Sequence, residues 1–255
     1  MPAQTLPKVL PNSRLQGPCV LAFDTSTERL ALGLQGASGP LTLLADGGAA
    51  ASASLLPHIH ALLTQARAQL ADVDAIAFGR GPGAFTGLRT ACAVAQGLGL
   101  GLARPLLPVD SLLIVAEDAR AQVAAQAPQF DVGVAMDARM DEVYAGRYRW
   151  QDGRWHVLQA PALYSLPALA EAWSGEALQA LAGSALAAFG PRLALPAAGP
   201  RVACEHDRAG ALLCLALQAA RAGEGVDAAA ALPLYLRDKV ALTMREREAA
   251  RALAR

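Results

Sequence analysis

Three groups of residues have types and spacings that could do chemistry. The first is Asp24-Thr25-Ser26, an acid and two hydroxyls closing an apolar run. Such a set can bind a metal–phosphate group, or it can simply make turn hydrogen bonds, which is the plainer reading. The second is Asp137, which closes another apolar run about a hundred residues later. Two acids across a cleft can hold a metal–nucleotide; they can equally be the vestige of such a site, or unrelated turn acids. The third is Gly79-Arg80-Gly81-Pro82-Gly83, between a short apolar run and a helix expected to begin near Thr86. A strand, a glycine turn and a helix can cradle phosphate, because helix N-termini present free N–H groups to anions. The run lacks the Lys-Ser/Thr of a P-loop and is not G-x-G-x-x-G, so a turn that only positions a helix is favoured. Gly81 and Gly83 allow backbone angles closed to other residues, Pro82 stiffens the turn, and Thr86 can cap the helix.

Other reactive side chains point to less. His58 and His60 are two residues apart, so on a helix they face different ways; a helical metal pair needs a spacing of three or four. The four cysteines, Cys19, Cys92, Cys204 and Cys214, form no C-x-x-C pair and read as reduced, mostly buried thiols of a cytosolic protein.

The elements that must position these groups follow from hydrophobic periodicity. Apolar runs at 19–24, 30–34 and 41–45 with turns between them predict an antiparallel meander. Residues 46–54 read as a loop and 55–70 as a helix with Leu55, Ile59, Leu62, Leu63 and Ala66 on one face. Pro57 then fits only in the first turn, where no N–H partner is needed. A strand at 75–78 leads through the glycine turn into a helix with small residues at steps of four, Gly87, Ala91, Ala95 and Gly99, a stripe that lets another backbone approach. A short strand at 106–109 and a helix over 112–127 capped by Ser111 complete a mixed sheet flanked by helices. A second block repeats the opening: apolar 130–136, a charged turn, strand-like 142–150 and 155–158. The repetition suggests duplication into two domains. Helices are expected at 167–173, 183–189 and 210–222, a strand at 177–182, a linker at 226–231, a short docked segment at 233–240 and a charged, helix-prone tail from 244.

The 255-residue chain suffices for one large domain or two smaller ones, and with 54% hydrophobic residues it can bury a sizeable core. Its formal net charge of zero gives no global pull toward nucleic acid. No apolar run is long and clean enough to span a membrane. The first 18 residues read as a disordered extension rather than a secretion signal. The domain expectation is therefore 1–18 extension, 19–115 first domain, 128–232 second domain and 233–255 terminal segment, with the last helix of the second domain free to pack back on the first.

Four stretches, in order, resemble one family. GPGAFTGLRTACAVAQGL at 81–98 resembles the GPGSFTGLR signature of the TsaB (YeaZ) family. FDTST at 23–27 resembles its opening, MDARMDEVY at 136–144 its second-domain opening, and PLYLRDKV at 233–240 its C-terminal signature. The resemblance implies an α/β, actin/Hsp70/sugar-kinase-like (ASKHA) fold of two related domains, each with a mixed sheet flanked by helices. It implies a non-catalytic subunit of the complex that forms N6-threonylcarbamoyladenosine at position 37 of tRNAs reading ANN codons. In that pathway TsaC-type enzymes make threonylcarbamoyl-AMP and TsaD transfers the group to the tRNA. The TsaB-type subunit dimerises with TsaD, and a TsaE-type ATPase joins. Further implications are tRNA contact only through the complex, no membrane and no required cofactor, with homodimer or monomer for the free chain, and nucleotide in the cleft or at the interface, left open. The chain has no H-x-x-x-H pair of the kind with which TsaD-type proteins bind metal, which agrees with an inert subunit. It departs from the family in having Ala51-Ser52-Ala53-Ser54 where a histidine and a serine are common.

In the resembling family two N-terminal-domain helices pack on those of TsaD or of a second TsaB. The expected contact residues here are Leu55, Leu56, Ile59 and Leu63 on one helix and Gly87, Ala91, Ala95 and Gly99 on the other. Asp24, Thr25, Ser26 and Asp137 are the residues of a vestigial nucleotide cleft. Two competing readings remain: an active kinase or metallopeptidase of the same fold using Asp24 and Asp137, and a direct tRNA-binding module, whose steep salt dependence a neutral chain does not favour.

Overall fold

The computed structural model describes residues 17–196 and 199–237. The expected extension before residue 17, the charged tail and the end of the docked segment from 238 onward lie outside the described residues.

The chain opens with β1 (Val20–Asp24), β2 (Arg29–Gly36) and β3 (Gly39–Asp46), paired antiparallel as the three apolar runs predict. Helix α1 (Ala51–Gln65), β4 (Ala75–Gly81), α2 (Phe85–Leu102) and β5 (Leu106–Asp110) follow. β4 pairs parallel with β1, and β5 with β4, so the first sheet has the order β3-β2-β1-β4-β5. Helix α3 (Ser111–Val123) crosses to β6 (Gln129–Asp137), β7 (Glu142–Gln151) and β8 (Arg154–Ser165), a second antiparallel meander. Then come α4 (Leu166–Ala172), β9 (Ala180–Ala182), α5 (Ala185–Phe189), β10 (Arg201–Val202) and α6 (Arg208–Ala222). The second sheet has the order β8-β7-β6-β9-β10, with β6, β9 and β10 parallel.

The two sheets therefore share one topology: a meander whose first strand lies at the centre of the sheet, extended by two parallel strands. Layers alternate around them. α1 and α2 bury Leu55, Ile59, Leu62, Ala91 and Ala95 against Leu21, Phe23, Leu32 and Phe78 on one face of the first sheet. Helix α6 covers the opposite face with Leu212, Leu213 and Ala216. Helix α3 packs beside α6 and sends Leu112, Val115 and Ala119 onto Val132, Val134 and Tyr148 of the second sheet. α4 and α5 cover that sheet's far face around the fully buried Trp173. This is the ASKHA architecture, two related domains with a shared middle layer of helices.

Several boundaries differ from the sequence reading, each for a local reason. α1 begins at Ala51 rather than after residue 54, so Pro57 lies inside the helix. The carbonyl its ring leaves unbonded belongs to Ala53, and both residues are exposed, so water can serve that carbonyl. α1 also ends at Gln65, five residues early. α2 begins at Phe85 with Ala84 as its N-cap and no side-chain cap. Thr86 is already inside, and Ala84 is held instead by its N–H donating to the carbonyl of Ser26 at 2.8 Å. Ser111 likewise does not cap α3. β10 carries too short a pattern to be read from sequence, and β8 is longer than residues 155–158 because it pairs with all of β7.

The expected contact residues also need correction. Leu55, Ile59, Leu63, Ala91 and Ala95 are each 3% exposed or less, and Gly87 and Gly99 are buried. These seven lie in the chain's own packing, because the apolar stripe of a surface helix is the stripe that its own sheet covers. Of the eight, only Leu56 is exposed, at 54%.

Candidate functional site

A cavity of about 590 Å³ opens between the two domains. Its walls come from Ser26 and Thr27 after β1, the start of α2, residues 136–140 at the end of β6 and in the turn after it, Ser184, Arg208, and the segment from Leu234 to Arg237. Both acids singled out in the sequence stand at equivalent places, the C-terminal ends of the central strands β1 and β6. Open α/β sheets use such strand ends for ligands.

The turn after β1 is packed against the glycine turn with unusual closeness. A Cβ at Gly79 would lie 2.4 Å from the Asp24 carboxyl carbon, and one at Gly83 would lie 2.5 Å from the Ser26 carbonyl oxygen. At Gly87 the distance to the Thr25 carbonyl oxygen would be 1.7 Å. The Thr25 hydroxyl, in turn, donates to the carbonyl of Gly87 at 2.7 Å. Three glycines at steps of four thus make room for three consecutive residues of another segment. Only Gly81 is needed for its backbone angle, with φ of +112°. Gly83 is needed for space, not for its angle. The glycine run is thus a packing device that seats Asp24-Thr25-Ser26, and the turn-positioning reading fits it better than a phosphate loop.

Asp24 is wholly buried. One oxygen accepts from the backbone N–H of Ser26. The other, Oδ2, accepts from the hydroxyls of Ser26 at 3.1 Å and Ser111 at 3.4 Å, and from Nη2 of Arg208 at 2.8 Å. Nη2 of Arg208 also donates to Ser26 Oγ at 3.0 Å, and Nη1 is bonded to Glu205. Burial works to lower the Arg208 pKa, but the Asp24 and Glu205 carboxylates outweigh it and hold the guanidinium well above its ordinary value. Sequence reasoning missed Arg208, Glu205 and Ser111. The signal that could have found Arg208 is a cation immediately after Asp207, the N-cap whose side chain accepts from Gly210 N–H at 2.8 Å. A positive charge at a helix N-terminus opposes the helix dipole and needs a compensating reason. Asp118 of α3 fixes this helix start by accepting from the N–H groups of His206 and Asp207 at 3.1 and 2.8 Å.

Asp137 is arranged differently. It lines the open cavity, accepts from the N–H of Arg139 at 2.8 Å, and lies 3.8 Å from the Arg139 guanidinium, which is 76% exposed. The two acids share the cleft by symmetry of fold, but one is sealed beneath its floor and the other faces solvent. His58 bonds only locally, its Nδ1–H donating to the Ser54 carbonyl at 2.7 Å. Among the described residues no group of three or more His, Cys, Asp or Glu side chains could hold a metal ion.

Across the mouth of the cleft runs the segment from Leu234 to Arg237. Leu234 N–H donates to the Arg80 carbonyl at 2.7 Å, and Tyr235 stacks on Phe85 with its hydroxyl accepting from Arg89 at 3.1 Å. Arg237 reaches the second domain, donating to the Ala138 carbonyl at 2.9 Å and pairing with Glu142 at 2.7 Å. The cysteines are all free: Cys19 and Cys92 are buried, Cys214 is half-buried and Cys204 is exposed. No helix among the described residues is long and apolar enough to cross a membrane.

Comparison with known proteins gives this cleft its context. The family profile described as "TsaD: tRNA N6-adenosine threonylcarbamoyltransferase" matches residues 47–244. The solved structure titled YeaZ from Pseudomonas aeruginosa superposes with a TM-score of 0.74 at 38% identity, covering 86% of this chain and all of that one. A second Pseudomonas aeruginosa structure, described as similar to peptidase YeaZ, gives 0.76 at 38% identity with the same coverage. The tRNA threonylcarbamoyladenosine biosynthesis protein TsaB of Escherichia coli is 36% identical over 154 residues, 56% of this chain and 61% of that protein. Its Haemophilus influenzae counterpart is 40% identical over 133 residues, 51% and 53% of the two chains. The chain thus matches a little over half the length of these curated relatives. With its duplicated sheets, its glycine-seated Asp24 turn and these alignments, the chain belongs to the TsaD-related family, in the TsaB (YeaZ) branch.

Proposed function

We propose that this chain is the non-catalytic, partner-binding subunit of the complex that makes N6-threonylcarbamoyladenosine at position 37 of tRNAs reading ANN codons. It docks on a TsaD-type transferase through the outward face of α1 and α2, a TsaE-type ATPase joins the assembly, and the chain pairs with itself when the transferase is absent. It needs no cofactor of its own, works in the cytoplasm, and meets tRNA only as part of the complex, in keeping with its zero net charge. The active-enzyme reading is not favoured, because the acid at β1 is already engaged by Arg208.

The observation that carries the docking reading is the outer surface of the two helices. They lie side by side on one face of the first sheet. Leu56 on α1 is 54% exposed and Leu100 on α2 is 79% exposed. Between and around them α2 presents Ala93, Gly97 and Gly101, and a Cβ at either glycine would meet nothing within 4 Å. Large apolar side chains beside flat, small-residue ground are what a second helix pair packs on.

Co-purification with a TsaD-type partner and light scattering test this. Leu56→Arg and Leu100→Arg are expected to abolish the heterodimer while leaving the fold intact, since both side chains are solvent-exposed. Ala91→Arg is the wrong probe, because Ala91 is fully buried and arginine there would unfold the helix layer. A wild-type chain that never associates with the transferase would sink the subunit reading. Association untouched by either exposed arginine would move the interface elsewhere.

A further inference from the structure

A carboxylate as deeply buried as Asp24 must be neutralised or paired. In a cleft that uses metal–nucleotide, a divalent cation would do it. Here the space is filled from within. Arg208, 4% exposed, places one guanidinium nitrogen on Asp24 and Ser26 and the other on Glu205. Asp24 Oδ2 is surrounded by donors, two hydroxyls and Nη2, so it has no free lone pair to offer a metal. The arginine breaks two local rules to be there: it puts a cation at the positive end of α6, and its buried Nε finds no acceptor among the described residues. A side chain held against such opposition is placed by charge, by the two carboxylates that flank it.

We propose that Arg208 is a built-in cation that stands in place of a metal ion at Asp24, pairing that buried acid without metal or phosphate. The same geometry says what lies beneath it. Asp24 Oδ2, Glu205 Oε2 and Ser26 Oγ all converge on the guanidinium, and Ser111 Oγ lies one hydrogen bond behind. Without the arginine, three oxygen-bearing side chains would face one vacated volume, a hard-oxygen set that Mg²⁺ or Mn²⁺ accepts with water completing the shell. The inference stands apart from the partner reading, because α6 and the docking helices cover opposite faces of the first sheet, and heterodimer formation is read by a different assay.

The test compares wild type, D24N, R208S and D24N/R208S by thermal unfolding with and without about 1 mM Mn²⁺. Wild type should not respond to Mn²⁺. R208S leaves a buried carboxylate unpaired, so its unfolding equilibrium should shift by roughly a hundredfold or more. Mn²⁺ should then raise its Tm by at least about 3 °C, reversibly with EDTA. D24N/R208S carries no unpaired charge at Asp24; it should be more stable than R208S and indifferent to Mn²⁺. A wild-type response that D24N removes would overturn the proposal, since metal and arginine would then coexist. So would a folded R208S blind to Mn²⁺. If R208S does not fold alone, its refolding yield with and without Mn²⁺ reads the same site, and a yield unmoved by Mn²⁺ overturns the proposal equally.

Discussion

At the scale of single residues, the chain separates glycines that make room from glycines that merely occur. Gly87 and Gly97 share one helix. Gly87 faces the Thr25 backbone with no space for a Cβ, and Gly97 faces open space. Gly87→Ala is therefore expected to cost roughly 3 kcal/mol or more, lowering Tm by about 6–12 °C. Gly97→Ala should stabilise by up to about 1 kcal/mol, because alanine is the better helix former. Thermal unfolding of the two variants side by side checks both signs. The cysteines give a pH prediction. Burial, helped by Asp74 and Asp72, pushes the Cys19 thiol up to about 11 from 9.0. The raised value means that the unfolded chain ionises first, so stability is whole below about pH 9 and declines as pH rises toward 11, by roughly 2–3 kcal/mol from this group. Urea unfolding across that range should show the decline, and Cys19→Ala should flatten it. Only Cys204 should react quickly with a thiol reagent in the folded protein, because it alone is exposed.

At the scale of elements, the helices of the first domain show where sequence periodicity suffices and where it misleads. The apolar face of α1 was legible from Leu55, Ile59, Leu62 and Leu63, and so was the small stripe of α2. What those faces touch was not legible, because a stripe suited to a partner helix and one suited to the chain's own sheet look alike in sequence. The start of α1 was misread for a related reason. Pro57 argued for a helix start nearby, yet the six residues before it are helical because exposure lets solvent serve the Ala53 carbonyl. Pro57→Ala should restore that hydrogen bond and stabilise by about 1–3 kcal/mol, read as a rise in urea midpoint at unchanged m-value. The two expected caps fail for different reasons: Thr86 lies within the helix, and the Ser111 hydroxyl donates to Asp24 instead.

At the scale of the whole molecule, two domains of one topology share the helices α3 and α6, and the segment from Leu234 to Arg237 ties them across the cleft mouth. Arg237 holds a turn in which Arg139, Met140 and Asp141 all have positive φ, at 64°, 58° and 56°. Left-handed backbone at three successive non-glycine residues costs on the order of 1 kcal/mol each and needs outside support. Arg237→Ala should therefore speed amide exchange in residues 138–142 by about tenfold or more, with little change in the first domain. Exchange rates that stay equal would mean that the turn supports itself. The same tie connects α2 with the cleft mouth, since Arg89 on α2 donates to the Tyr235 hydroxyl.

The amino-acid sequence by itself determined the local layout: two meanders, the strand–glycine turn–helix unit, the acids that close the two central strands, and the family to which these motifs belong. Such features depend on neighbours in the chain, on side-chain alternation and on turn chemistry, all of which are local. Only the tertiary structure decided which faces are inward, and what Asp24 meets. Arg208 lies 184 residues from Asp24 along the chain, and its helix returns from the second sheet's sequence to the first sheet's face. Nothing in either segment names the other. The pairing follows from burying an acid at the end of one strand and a base at the start of one helix, where low dielectric makes each the necessary partner of the other.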